Sequence, residues 1–283
     1  MRALVLSGGA AHGAFQAGAI QSLYEMGWVP DVVCGASVGS INAAAIVSGI
    51  SPEHLCAMWR EVSNHDVYRW RQPLDWLRFW RWKYVLDTNP LRKYLESHIR
   101  FPELYSAEQV ALCFSVDVET GGLRAYSNQV TDLPLRFLRR YRPQLFDVDA
   151  LMASTAIPLV FPWSGGEWDG AFLQYAPMRP VVALGATEIV LVSLEVTSEE
   201  ALPSSLLQTA LQVANISSKS ALRADIKMIL DRNKQEGYRH IDLRVISPTR
   251  PFEYSRLNFS SPHKMGAIQH GRNSAYRIMS GHV

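Results

Sequence analysis

The first apolar run of the chain, Ala3-Leu4-Val5-Leu6, is the length of a buried strand and too short for a helix. A small-residue loop follows, Ser7-Gly8-Gly9-Ala10-Ala11-His12-Gly13. From Ala14 to Met26 the pattern changes: Ala17, Ile20, Leu23 and Met26 step by three, which predicts a helix capped by Gly27. A second strand is predicted at Asp31 to Cys34, with two adjacent valines, and a helix at the alanine-rich run Ile41 to Val47. Strand, loop, helix, strand, turn, helix is the opening of an open parallel sheet with helices on both faces.

Further on, Ser51-Pro52-Glu53 is a helix start, with serine as cap and proline at the first position. Val110 to Val118 predicts a strand that Thr120-Gly121-Gly122 turns into Leu123 to Tyr126. Glu188 to Leu194 and Ile241 to Ile246 predict two more strands, and Ser204 to Lys234 a helix. No repeat, low-complexity tract or linker interrupts the chain. The expectation is one domain over residues 1–283, with residues 51–105 as a helical cap or insertion.

Composition narrows the class. Hydrophobic residues are 48% and charged residues 19%, an ordinary globular balance, and the net charge of +2 is too small to argue for nucleic acid. Cys34, Cys56 and Cys113 are odd in number and scattered, which fits a reducing compartment and gives no metal-ligand spacing. No segment has the ~18 apolar residues of a membrane span, and the N-terminal run is too short for a signal-peptide core. A cytoplasmic protein, with peripheral contact to a membrane surface as a candidate, and with no metal and no cofactor is expected.

The chemistry starts at Gly35-Ala36-Ser37-Val38-Gly39. This is G-x-S-x-G between a predicted strand and a predicted helix, the context that a nucleophile elbow requires. Glycines at 35 and 39 remove the Cβ atoms that a sharp turn at Ser37 would drive into its neighbours. A plain structural Gly-Ser turn is the competing reading. A serine nucleophile also needs an oxyanion hole and a base. Successive amides of Gly8, Gly9 and Ala10, at the end of the neighbouring strand, can converge on a developing oxyanion. The amide of Val38 is the usual second contributor. As a dinucleotide fingerprint the same loop fails, because Ala10 stands where glycine is required.

Histidine is the default base, yet none of the eight sits in an obvious strand-end loop. Asp169, in Gly165-Gly166-Glu167-Trp168-Asp169-Gly170-Ala171, is the more suggestive group. A carboxylate held dry beside a hydroxyl can take its proton directly, since desolvation raises its pKa. An ordinary Asp-Gly turn remains the alternative.

These segments together resemble the patatin-like phospholipase family, of the bacterial type. Gly8 to Gly13 is similar to its Gly-rich oxyanion motif and Gly35 to Gly39 to its serine elbow. Ala153-Ser154-Thr155-Ala156-Ile157-Pro158 is similar to the segment ahead of its acid, and Asp169-Gly170-Ala171 to its D-G-A/G motif. The resemblance implies a three-layer α/β/α fold with a mainly parallel central sheet. It implies a Ser37–Asp169 dyad without histidine, an oxyanion hole of Gly8, Gly9, Ala10 and Val38, and motif support from Gly13, Gly35, Gly39 and Gly170. The activity implied is acyl-ester hydrolysis of lipids. A lipid-binding or regulatory protein on the same fold is the alternative. The chain departs from the family pattern at Ala10, for glycine, and at His12, where a basic residue is usual, and Gln174-Tyr175 replaces an Asn pair.

Residues 59–84 hold five of the eight tryptophans, Trp59, Trp70, Trp76, Trp80 and Trp82, interleaved with arginines. Trp76, Phe79, Trp80 and Lys83 have helical spacing. Indole rings and long cations suit a membrane interface, so 59–84, and the basic-aromatic stretch 136–142, are candidate peripheral membrane contacts. The competing reading is that these rings pack a cap onto the core.

Overall fold

The computed structural model describes residues 1–70, 83–196 and 206–281. In chain order the elements are β1 (Arg2–Leu6), α1 (Gly13–Glu25), β2 (Val32–Ala36), α2 (Val38–Val47), α3 (Pro52–Glu61), α4 (Asn64–Val67), β3 (Arg69–Trp70), β4 (Leu86–Asp87), α5 (Asn89–His98) and α6 (Phe101–Ser106). Then come β5 (Val110–Asp117), β6 (Leu123–Ser127), α7 (Leu135–Tyr141), β7 (Gln144–Leu145), α8 (Val148–Ser154), β8 (Glu167–Asp169), α9 (Met178–Leu184), β9 (Glu188–Val192), α10 (Leu206–Asn233), β10 (Asp242–Ile246) and α11 (Lys264–Met279).

The central sheet runs β10-β9-β1-β2-β5-β6-β7, and its first five strands are mutually parallel. β6 returns antiparallel to β5 through the Thr120-Gly121-Gly122 turn, as the sequence predicts, and β8 pairs antiparallel with β5 beyond it. The strands are apolar throughout because both faces are covered. Leu4, Leu6, Val33, Val190 and Val192 point to one face, against α1, α2, α3, α8 and α11. Ala3, Val5, Val32, Cys34, Ile189 and Leu191 point to the other, against α7, α9 and α10. Helices on both faces of a mainly parallel sheet make the predicted three-layer α/β/α arrangement.

Two positional facts follow from register. Leu6 ends β1 beside Gly35 of β2, so the Gly-rich loop and the elbow emerge side by side. Ser115 of β5 faces Asp169 of β8, while Phe114 faces Ala36 of β2. The β2–β5 pairing therefore brings Asp169 beside the elbow from 132 residues downstream (169 − 37).

Ser51 caps α3 as its sequence predicts, its hydroxyl accepting from the His54 amide at 3.2 Å. Within 51–105, α3, α4 and α5 pack over the elbow side of the sheet, burying Leu55, Met58, Trp59, Val67, Leu91 and Leu95.

Candidate active site

Ser37 stands between β2 and α2 with φ 53° and ψ −128°. A side chain in this region of backbone space costs roughly 1–3 kcal/mol and persists only where its surroundings enforce it. Here they do. A Cβ on Gly35 would lie 2.2 Å from the Gly39 carbonyl, and one on Gly39 would lie 2.4 Å from the Leu6 carbonyl oxygen. Only glycine lets the helix start this close to both strands. The Ser40 hydroxyl donates to the Ser37 carbonyl at 2.5 Å, and the Ser37 amide donates to the Ser154 hydroxyl at 3.2 Å.

Asp169 ends β8 and caps the short 3-10 turn Gly170–Phe172, its carboxylate accepting from the Ala171 amide at 2.8 Å. Its own amide donates to the Ala156 carbonyl at 3.0 Å. A Cβ on Gly170 would lie 2.0 Å from the Phe114 carbonyl oxygen, so glycine lets the turn close against β5. The carboxyl is buried and lies beside the Ser37 side chain. Burial pushes its pKa up to about 7, against the opposing pull of the Ser37 side chain and the Ala171 amide. The segment Ala153 to Ala156 thus touches both groups, Ser37 through the Ser154 hydroxyl and Asp169 through the Ala156 carbonyl.

The four expected oxyanion donors divide. The Gly8 amide donates to the Tyr175 carbonyl at 3.0 Å, which removes Gly8 from the set. Its role is steric: a Cβ there would lie 2.7 Å from that of Ala171 and 3.3 Å from that of Ser37. The amides of Gly9, Ala10 and Val38 make no hydrogen bond among the described residues. Val38 opens α2, so its amide lies at the positive end of a ten-residue helix. Ala10 adopts φ 49°, the left-handed conformation for which glycine is the unstrained choice. A Cβ on Gly13 would lie 2.6 Å from a Val38 methyl carbon and 2.7 Å from the Trp59 ring.

His12 is buried with its ring stacked on Phe252 at 3.9 Å and Nε2 2.9 Å from the Tyr254 carbonyl oxygen. Other histidines are engaged elsewhere: His98 on Tyr94, His263 on Glu253, and His270 on Thr249. Among the described residues, no group of His, Cys, Asp or Glu could hold a metal ion.

Ser37 opens onto an apolar slot. Its walls include Val38, Ala45, Met58, Leu95 and Phe161. The slot's few polar groups are mostly tied up. Asn42 accepts from the Trp59 indole at 2.8 Å and donates to Gln16 at 2.9 Å, and the Thr155 hydroxyl donates to the Leu151 carbonyl at 2.9 Å. A hydrocarbon chain fits such a wall, and a charged group does not.

Sequence reasoning missed this slot. The signal was present in α3, where Leu55, Met58, Trp59 and Val62 follow the i, i+3, i+4, i+7 spacing of one buried face. It also missed Glu167, which reads in the sequence only as part of a turn. Glu167 is buried, accepts from Ser115, Tyr126 and Arg124, and ties β8 to β5 and β6 two residues before Asp169.

The tryptophan-rich stretch is corrected in part. Trp59 is buried against Asn42 and lines the slot, so it faces no membrane. Trp70 is exposed. Trp76, Phe79, Trp80 and Trp82 lie outside the described residues. In 136–142, Arg136, Arg139, Arg140 and Arg142 are exposed, but Phe137 is fully buried on the sheet face opposite the slot. No helix among the described residues is long and apolar enough to cross a membrane.

Comparison with known proteins adds three findings. The family model described as patatin-like phospholipase matches residues 4–182, which include Ser37 and Asp169. Triacylglycerol lipase ptl3 of Schizosaccharomyces pombe is 51% identical over 43 residues, a match spanning 15% of this chain and 9% of that lipase. The crystal structure of VipD from Legionella pneumophila superimposes with a TM-score of 0.52 at 15% identity, over 99% of this chain and 67% of that one, a likeness of fold.

Proposed function

Because the chain belongs to the patatin-like phospholipase family, we propose that it is a serine acyl-ester hydrolase acting on lipids, with Ser37 as nucleophile and Asp169 as its proton acceptor. The observation that carries this reading is the placement of the Ser37 side chain beside a buried carboxyl whose pKa is lifted to about 7. A base with that pKa is about half ionised at neutrality and is basic enough to take a proton in the transition state.

The reaction follows from the positions. The ester carbonyl lies over Ser37 with its acyl chain in the slot. Ser37 Oγ attacks the carbonyl carbon while its proton passes to Asp169. The oxyanion gathers hydrogen bonds from the amides of Gly9, Ala10 and Val38, and the α2 dipole favours the same charge. Collapse expels the alcohol, which leaves with the proton from Asp169. Water, deprotonated by Asp169, then attacks the acyl-serine; the Oγ–acyl bond breaks, Ser37 Oγ takes the proton back from Asp169, and the fatty acid departs. The apolar wall limits the acyl part to hydrocarbon, and the head group is left outside. No metal or cofactor enters the scheme.

The test is labelling with a fluorophosphonate, followed by peptide mapping and by hydrolysis of a short-chain nitrophenyl ester. The adduct is expected on Ser37. Ser37→Ala and Asp169→Asn are each expected to remove nearly all hydrolysis, with the double variant losing little more, as groups acting as a unit do. An adduct elsewhere, or an Asp169→Asn variant with normal turnover, overturns the assignment.

A further inference from the structure

The segment that joins the slot to Asp169 has two faces. Ile157 and Phe161 point into the slot, whereas Leu159 between them is 58% exposed. Beyond, Ser164-Gly165-Gly166-Glu167 turns the chain tightly. Ser164 bridges Glu167, and both glycines have positive φ, as a two-residue hairpin turn requires. Trp163 and Trp168 flank this turn on its two arms, 41% and 36% exposed, and Leu173 just past Asp169 is 45% exposed. Large apolar side chains gathered near an apolar slot are a candidate contact surface.

Two further observations say what these side chains meet. Leu159 is held at φ 66°, a strained conformation for leucine, with its side chain in solvent. The backbone that holds it is the edge leading into β4: Tyr84 bridges Leu159, and the Val85 amide donates to its carbonyl at 3.1 Å. Lys83, at the start of that edge, sets its ammonium 4.8 Å from the centre of the Trp163 ring, and makes no ion pair among the described residues. An indole with a lysine on its face is a pair suited to the boundary between acyl chains and phosphates.

We propose that the outer face of 159–173, with Leu159, Trp163, Trp168 and Leu173 as its apolar contacts and Lys83 as its cation, docks on the surface of a lipid bilayer. The occupant follows from continuity. The same segment that meets the surface lines the slot with its other face, so a chain leaving the bilayer enters the slot without crossing water. The proposal rests on the reading of Ser37 as a lipid hydrolase for its purpose, but its measurement does not depend on turnover.

The test is co-sedimentation of the full chain with vesicles of phosphatidylcholine alone and with phosphatidylglycerol added. Leu159→Asn with Trp163→Ser keeps a residue tolerant of positive φ at 159 and removes two apolar contacts. Bound fraction is expected to fall by about tenfold in partition constant, with fluorophosphonate labelling of Ser37 retained. Lys83→Gln is expected to weaken binding only where the anionic lipid is present. Leu135→Ser with Arg139→Gln and Arg140→Gln on α7 is expected to change nothing. A milder pair, Trp163→Phe with Trp168→Phe, covers the case in which the first variant misfolds. Wild-type fluorescence is expected to be quenched by brominated acyl chains and the pair to lose that quenching. Unchanged partition in the first variant, unchanged quenching in the pair, or loss of binding through α7 instead, overturns the proposal. Failure of Ser37 labelling with docking intact would strike the catalytic reading and leave this one standing.

Discussion

The amide of Ser37 donates to the hydroxyl of Ser154 at 3.2 Å, across 117 residues of chain. Both groups are buried, so the hydroxyl is the elbow's replacement for water. Its neighbour Ala156 accepts the amide of Asp169. The end of α8 therefore braces both Ser37 and Asp169, adding a third element to the strand register that brings them side by side.

Ser154→Ala removes that acceptor and leaves the Ser37 amide buried and unpaired. The expected cost is about 1–3 kcal/mol of stability, read by denaturant unfolding. Labelling of Ser37 should slow by more than substrate affinity weakens, because the change displaces the hydroxyl and leaves the slot intact. Ser154→Thr, which keeps the oxygen, should recover most of the stability.

The ionisation of Asp169 gives two pH effects. Hydrolysis of a soluble ester, followed as kcat/KM, should rise with pH through a midpoint near 7, since only the carboxylate accepts the proton. Stability should run the other way. The folded pKa of about 7 lies above the ordinary 3.8, so the folded state holds a proton that the unfolded state has already released. That contribution is fully present below about pH 4 and is lost as pH rises through 7. Asp169→Asn, which cannot ionise, should gain stability over wild type across that window, by on the order of a few kcal/mol. Thermal unfolding at pH 4 and pH 9 reads the difference. A constant difference at the two pH values would mean that Asp169 ionises freely when folded.

Much of this site is legible in the chain because its parts are local. The elbow is five consecutive residues whose glycines are required by contacts with Leu6 and Gly39 that a strand-turn-helix pattern already implies. The Gly-rich loop and the Asp-Gly-Ala turn are likewise short. What is not legible depends on contacts between distant segments. Nothing local says that the Gly8 amide is taken by Tyr175, or that Glu167 sits under Arg124 and Tyr126. Helix α11 is hidden in the sequence because Gly266 and Gly271 interrupt its pattern. Gly271 is there for packing, since a Cβ would lie 2.0 Å from the Phe15 carbonyl oxygen on α1. The basic neighbours of Trp59 in sequence point to an interface, whereas its position on α3 turns it inward.

Ala10 is the clearest departure from the family pattern with a backbone consequence. At φ 49° its methyl group costs roughly 1–2 kcal/mol. Ala10→Gly removes that cost and adds unfolded-state entropy of about 0.4–1 kcal/mol. A net stabilisation of up to about 1 kcal/mol is expected in chemical unfolding, with hydrolysis retained because the amide remains. A clear loss of stability would mean that the methyl group's packing in the slot outweighs its strain.

The slot itself sets the last expectation. Ala45 lies on its wall, nearly fully buried, on the helix that begins at Ser37. Ala45→Leu adds three carbons to that wall, with overpacking that costs about 1–3 kcal/mol where the slot does not absorb them. A short acyl chain reaches Ser37 without passing position 45 if the chain runs along α2. A long one meets the new side chain. The ratio of kcat/KM for a long-chain to a short-chain nitrophenyl ester should therefore fall by about tenfold or more, the short ester being hydrolysed at close to the wild-type rate. Equal loss for both esters would show that Ala45 supports the fold without contacting the acyl chain, and an unchanged ratio would show that the chain leaves Ser37 by another route.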